Sequence, residues 1–218
     1  MEIPWNLIPS LEKWSQCALR VSSVKIVPDL VRDQVATQKV VTRSSNMAAP
    51  INYVVGNAVH PIGEGNKIIV HICNDSGHWG AGFTAALNHR WFNPQIAYTH
   101  MKMLCIDNFL ELGMVQMVKV EADIWVANLI GQHKTGNRGI FPPIRYDAVL
   151  KGLRRVAQIA HNRNASVHMP RIGCGLAGGT WNQIEPIIQR ALINEGIIVT
   201  VYDLPPEVVN PGVVGGDY

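Results

Sequence analysis

Residues 165–181 read A-S-V-H-M-P-R-I-G-C-G-L-A-G-G-T-W, and no other stretch restricts the chain as much. Ala165 to Met169 suits a short buried strand. Pro170 has no N–H to give to a ladder, so the strand is expected to stop there. Gly173, Gly175, Gly178 and Gly179 follow. Thr180 and Gln183 have the spacing of a helix capping box. Strand, glycine-rich turn and helix start together converge main-chain N–H groups on one point. Glycines tolerate positive φ and close approach, and the helix dipole favours negative charge. A phosphate or diphosphate is the expected guest. Alone the signal is weak: four glycines after a strand also describe a mobile loop. The P-loop ending and the dinucleotide spacing are both missing.

A second stretch of the same kind lies upstream. Lys67 to Cys73, K-I-I-V-H-I-C, is a near-continuous apolar run and reads as a central strand covered on both faces. It runs into Asn74-Asp75-Ser76-Gly77-His78-Trp79-Gly80-Ala81-Gly82, and Phe83 to Trp91 then reads as a helix. Two such junctions can face one crevice at the carboxyl ends of the strands, where ligands of open α/β sheets sit.

Composition excludes several classes. Of 218 residues, 47% are hydrophobic and 16% charged, which suits a globular fold. The formal charge is +3 with no basic run, which does not argue for a nucleic-acid binder. No apolar stretch approaches a membrane span. Cys17, Cys73, Cys105 and Cys174 show no C-x-x-C spacing. Neither structural zinc nor a disulfide framework is expected, and reduced thiols point to a cytoplasmic setting. No metal and no cofactor are expected.

Residues 1–49 read as an extension that either packs on the domain or is partly disordered. Trp5, Leu7, Ile8, Leu11, Trp14 and Ala18 fall near helical spacing, Ser22 to Val31 could add a strand, and Thr42 to Pro50 reads as a linker. Glu2, Glu12, Asp29 and Asp33 argue against a transit peptide, and Met47 is a candidate second start. The domain spans 50–205. Its further expected elements are a strand at Ile51 to Val55, a helix at Pro94 to Phe109, and a hairpin of Met114 to Val120 with Ile124 to Ile130. A loop from Gly131 to Pro143, a helix at Tyr146 to His161, a helix at Trp181 to Asn194 stopped by Gly196, and a strand at Ile197 to Tyr202 complete it. Residues 206–218 read as a mobile tail. Strands alternating with helices indicate a three-layer α/β/α sandwich, and the hairpin makes its central sheet mixed.

The two loops together resemble a known family. I-V-H-I-C-N-D-S-G-H-W-G-A-G-F at 69–83 and M-P-R-I-G-C-G-L-A-G-G-T-W at 169–181 are similar to a macro domain. The resemblance is to the branch of the terminal ADP-ribose protein glycohydrolase, the yeast ADP-ribose 1''-phosphate phosphatase and related bacterial hydrolases. It covers about residues 51–204. The Asn-Ala-Ala-Asn motif of the O-acetyl-ADP-ribose deacetylase branch is missing.

The resemblance implies an ADP-ribose cleft. The first loop would embrace the distal ribose through Asn74, Asp75, Ser76, Trp79, Gly80, Gly82 and Phe83. The second would wrap the diphosphate through Arg171, Gly173, Cys174, Gly175, Leu176, Ala177, Gly178 and Gly179. Asn57 stands where an adenine-binding aspartate is common. The chemistry implied is hydrolysis of ADP-ribose linked at its distal ribose, as an ester on protein Glu/Asp or as ADP-ribose 1''-phosphate. Three candidates carry it. Lys119 matches the strand of a catalytic lysine, or is a solvated strand-end lysine. His71 matches a histidine implicated in the phosphatase, or is a satisfied core histidine. Asp75 is a candidate base, or caps its own loop. Ala177 takes the place of the glycohydrolase aspartate, and this motivates the alternative of a non-catalytic ADP-ribose reader. The partners implied are ADP-ribose or ADP-ribosylated protein, with nucleic-acid ADP-ribosylation as a further option. No membrane is implied, and a cytoplasmic monomer is expected, nuclear in a eukaryote.

Overall fold

The computed structural model describes residues 50–105, 110–136 and 141–205. The expected helix and strand of the extension and the expected tail lie outside the described residues.

Six strands form one sheet: β1 (Asn52–Val55), β2 (Asn66–Asn74), β3 (Val115–Lys119), β4 (Ile124–Gln132), β5 (Ala165–Pro170) and β6 (Val199–Asp203). Their order is β1-β6-β5-β2-β4-β3. All neighbours pair in parallel except β3, which runs antiparallel to β4. Among the described residues the helices are α1 (Phe83–Arg90), α2 (Asn93–Met103), α3 (Tyr146–Arg163) and α4 (Trp181–Ala191), with a 3-10 turn at Ile193–Glu195.

The apolar run of β2 is split between two cores because alternate side chains point to opposite faces. Ile68 and Val70 join Leu153, Val156, Ile184 and Ile188 of α3 and α4 in the larger cluster. Ile69 packs with Leu87 of α1, and Cys73 with Tyr98 of α2. Helices therefore cover both faces, as the alternation of elements implies.

Several element boundaries differ from those expected. α3 runs on to Arg163 and ends at Asn164, which takes the left-handed conformation (φ 49°) and turns its N–H back to Ala160 and His161. α2 ends at Met103, short of the expected Phe109. β4 continues through Gln132, into the segment expected to be loop. β5 includes Pro170. The expected Thr180 capping box does not form. Thr180 is the N-cap, but no side chain caps that terminus, and Gln183 bonds the Thr180 carbonyl through its main-chain N–H.

Gly152 shows how closely α3 lies on the sheet. A Cβ there would stand 2.6 Å from Cγ of Leu129, a fully buried β4 residue. Alanine normally favours a helix over glycine by about 1 kcal/mol. Overpacking a closed core costs about 1–3 kcal/mol, and the clash should win. Gly152→Ala is expected to lower the melting temperature by several degrees. An unchanged or raised melting temperature would refute this account of the packing.

Candidate functional site

β2 and β5 are adjacent, yet the chain leaves them toward opposite faces. β2 leads through 75–82 to α1, and β5 leads through 171–180 to α4. Such a divergence opens a crevice at the carboxyl edge of a sheet. The two loops meet across it: a Cβ on Gly82 would lie 3.8 Å from Cδ1 of Leu176.

The second loop is tied at its base. The Gly179 N–H bonds the Gly173 carbonyl at 2.8 Å, and the Gly178 N–H bonds the Gly175 carbonyl at 2.8 Å. Gly179 must be glycine, since a Cβ would stand 2.6 Å from the Gly173 oxygen. Gly178 sits at φ 70° with its Cβ position 3.0 Å from Pro142. Gly175 differs from the expectation of positive φ: its backbone is ordinary and nothing lies within 4 Å of its Cβ position. Across the top of the loop, the N–H groups of Gly175, Leu176 and Ala177 have no acceptor among the described residues. In the first loop, Gly80 N–H bonds Thr84 Oγ1 at 3.1 Å, whereas the N–H groups of Ala81, Gly82, Phe83 and Thr84 have no acceptor among the described residues. These last open α1, where the helix dipole adds to their pull on an anion.

Most of the expected polar side chains turn inward instead. Asn74 is buried, and its Oδ1 accepts from Ser76 N–H at 3.1 Å and His78 N–H at 3.0 Å, while Nδ2 donates to the His78 carbonyl. Ser76 Oγ lies 2.9 Å from Asn74 Oδ1 and 3.0 Å from His78 Nδ1. Trp79 donates to Asn88 and packs on Tyr98 and His71. These residues build the loop. The expectation that the Asn74 side chain bonds ribose hydroxyls is replaced by that role, because its polar atoms are already engaged.

Asp75 is 2% exposed. Its Oδ1 accepts the Lys134 N–H at 2.8 Å and its Oδ2 stands 2.6 Å from His133 Nδ1. His133 escaped the sequence reading because 131–143 read as a loop. The available signal was a histidine at the carboxyl end of an apolar strand.

His71 is 1% exposed, beneath Trp79 and Phe83, with Nε2 2.6 Å from Asn128 Oδ1. Burial, which outweighs its hydrogen bonds to Asn128 and Ile72, lowers its pKa to about 4 and keeps the ring neutral. It is a core histidine on the α1 side, and the structure takes it out of the chemistry.

Lys119 requires a correction. It ends β3, and the antiparallel pairing sets it against Trp125 at the start of β4, with its Nζ over the Trp125 ring. The loops lie at the other end, where Asn74 pairs with Gln132. At about 3.3 Å per residue, Lys119 is roughly 20 Å from them along the strands. Ala177 is buried in the larger core. The lysine-plus-aspartate arrangement is thus absent at both positions. Lys119→Ala is expected to leave ligand affinity and turnover unchanged; a tenfold loss of either would put the residue back at the site.

Arg171 is held by Asp203 through Nε and Nη2, at 2.6 and 2.8 Å, and its guanidinium covers the rings of Tyr53 and Trp181. It anchors the second loop to β6. Cys174 is half-buried, and burial raises its thiol pKa, so it is no ready nucleophile. Asn57 follows β1 at the same edge of the sheet. Its Oδ1 accepts the Val59 N–H at 3.1 Å, and it lines a hollow of about 380 Å³ with His60, His89 and Arg90. Among the described residues, no group of three His, Cys, Asp or Glu side chains could hold a metal ion.

No family model matches the chain. A solved structure from Bacteroides thetaiotaomicron, of unknown function, is 51% identical over 72% of this chain and 99% of its own, with a TM-score of 0.69. The Chromodomain-helicase-DNA-binding protein 1-like of Mus musculus is 32% identical over 71% of this chain, and the match spans 18% of that relative's length. The ADP-ribose 1''-phosphate phosphatase of Meyerozyma guilliermondii is 22% identical over 68% of this chain and 98% of its own. A macrodomain protein from Streptomyces coelicolor is 48% identical over 70% of this chain and 98% of its own, with a TM-score of 0.62. On that identity, that coverage and the shared fold, the chain belongs to the macrodomain family.

Proposed function

We propose that this macrodomain binds ADP-ribose across the crevice and hydrolyses ADP-ribose joined to another group through its distal ribose. The linkage is an ester on a glutamate or aspartate side chain, or a 1''-phosphate. The observation that carries the reading is the pair of unbonded main-chain N–H rows, 175–177 on one loop and 81–84 on the other, on two loops that meet at Gly82 and Leu176. Main-chain donors on both sides suit a diphosphate, because charge-assisted bonds to preorganised N–H groups need no side chain to be ordered. Asn57 lies at the same edge for the adenine end. The yeast relative named as a phosphatase of ADP-ribose 1''-phosphate supports the linkage.

The test combines calorimetric titration with ADP-ribose and two turnover assays. One measures release of ADP-ribose from a peptide esterified on glutamate, the other release of phosphate from ADP-ribose 1''-phosphate. Binding with turnover of either substrate supports the proposal. Tight binding without turnover would leave a reader module, and absence of binding would remove both readings.

A further inference from the structure

We infer that the exposed side of α3, continued by Lys119 at the end of β3, is a docking surface for the phosphodiester backbone of a nucleic acid. α3 buries Val149, Leu153, Val156 and Ala160 against the sheet. On its other side Lys151, Arg155, Ile159 and Arg163 form one ridge at i, i+4, i+8 spacing, and Arg154, Gln158 and Asn162 form the ridge beside it. All but the partly buried Ile159 are exposed. Cations that stand apart in the sequence thus become neighbours, so a chain without a basic run acquires a basic surface. At its far end the Arg163 guanidinium carbon lies 4.8 Å from the centre of the Trp125 ring, and Nζ of the exposed Lys119 lies 5.4 Å from the same ring.

These charges are not neutralised within the fold. Lys67, Arg90, Lys151 and Arg171 each hold a carboxylate, on Asp123, Glu121, Glu111 and Asp203. Arg154, Arg155, Arg163 and Lys119 hold none among the described residues. Arg155 donates to the neutral Gln158 Oε1 at 3.0 Å. Asp147, in the first turn, is the one acidic residue of α3 and lies two turns from Arg154. Like charges gathered in this way repel one another, and a polyanion relieves the repulsion while releasing its own counterions.

A nucleic acid fits this surface better than an acidic peptide or an anionic membrane. Arginine forks match phosphate oxygens in pairs. A bound peptide needs pockets for its side chains, and a helix lying on a membrane needs apolar side chains to enter it. No exposed large hydrophobic side chain lies on α3. Between Arg154 and Arg163 the helix rises about 14 Å, which spans about four phosphates of one duplex strand at about 3.4 Å each. The surface is also separate from the crevice. α3 starts beside the second loop, where the Thr180 N–H bonds Tyr146 Oη at 3.3 Å, and ends by Trp125, at the opposite end of β4 from Gln132.

The experiment uses the full chain and a fluorescein-labelled DNA duplex of about 20 base pairs, with binding followed by anisotropy. With about four phosphates neutralised, affinity should fall on the order of a hundredfold between about 50 and about 200 mM salt. The triple variant Arg154→Gln, Arg155→Gln, Arg163→Gln should bind at least about tenfold more weakly at the lower salt, with the slope of log affinity against log salt reduced by roughly 3. Its melting temperature and its ADP-ribose affinity should match the wild type. Absence of duplex binding at the lower salt, or wild-type binding by the triple variant, would overturn the inference. Displacement of the duplex by polyglutamate, or equally tight binding to phosphatidylserine vesicles, at the same concentration of charge would overturn it too, by giving the surface to an acidic protein or a membrane.

Discussion

Gly175→Val should weaken ADP-ribose binding by on the order of a hundredfold or more and leave the melting temperature where it was. The two halves of this expectation have separate causes. Gly175 has no positive φ and nothing within 4 Å of its Cβ position, so the fold accepts a branched side chain there. The isopropyl group would nevertheless project beside the N–H groups of Gly175 and Leu176, in the space assigned to the diphosphate. Each charge-assisted bond to a main-chain N–H contributes about 1.5–3 kcal/mol, and about 1.4 kcal/mol is a factor of ten in affinity. Two lost bonds give at least the hundredfold effect. Gly178→Val is a poorer probe. Its φ of 70° and its 3.0 Å approach to Pro142 would strain the loop itself, so weaker binding would come with a lower melting temperature. Calorimetric titration and a thermal melt of Gly175→Val decide the matter. A folded variant with wild-type affinity would mean that the second loop is not the diphosphate cradle.

Stability is expected to fall by roughly 5 kcal/mol between pH 7.5 and 4.5 because two histidines are buried as neutral rings. Burial lowers His71 to about 4 from an ordinary 6.5, against weaker opposing bonds to Asn128 and Ile72. Burial, with the Lys67 charge adding to it, lowers His168 to about 4 as well. His168 is 2% exposed, between Ser166 Oγ at 2.8 Å and Tyr202 Oη at 2.9 Å. Above pH 6.5 both states of the protein are neutral at these positions and nothing is lost. Between 6.5 and about 4 the unfolded chain takes up protons that the folded one refuses, so acid favours unfolding. Carried through, each histidine accounts for about 3 kcal/mol, of which most is spent by pH 4.5. That is a large share of a typical folding free energy of about 5–15 kcal/mol. Asp123, Glu111 and Asp203 are held low by their bonds to Lys67, Lys151 and Arg171, so they act only below the ordinary carboxylate range. Urea titrations at stepped pH measure the slope, and His168→Gln should remove about half of it. Stability that stays flat down to pH 5 would show that neither ring is held neutral.

Much of the architecture was legible in the order of residues. Each strand-loop-helix unit is a local statement. The run from Lys67 to Cys73 reads as a strand covered on both faces, and the glycines of 173–179 read as the turn after another. The sandwich, the pairing of β3 with β4, the two loops and their family likeness all come from signals carried by near neighbours. Phase of hydrophobicity, glycine φ and proline punctuation depend on a few adjacent residues.

Tertiary structure decided which side chains are left for chemistry. Lys119 looked well placed within its own strand, but β3 runs antiparallel to β4, and that direction sets the lysine at the wrong end of the sheet. Asn74 is an attractive ribose ligand on paper, yet its polar atoms close the first loop. Asp75 and His133 are 58 residues apart and become a pair only through the register of β2 on β4. Sequence by itself determined the order and type of the central elements and the two glycine-rich junctions. The partner of a buried side chain depends on strand direction and register between segments far apart in the chain, and local propensity carries no record of either.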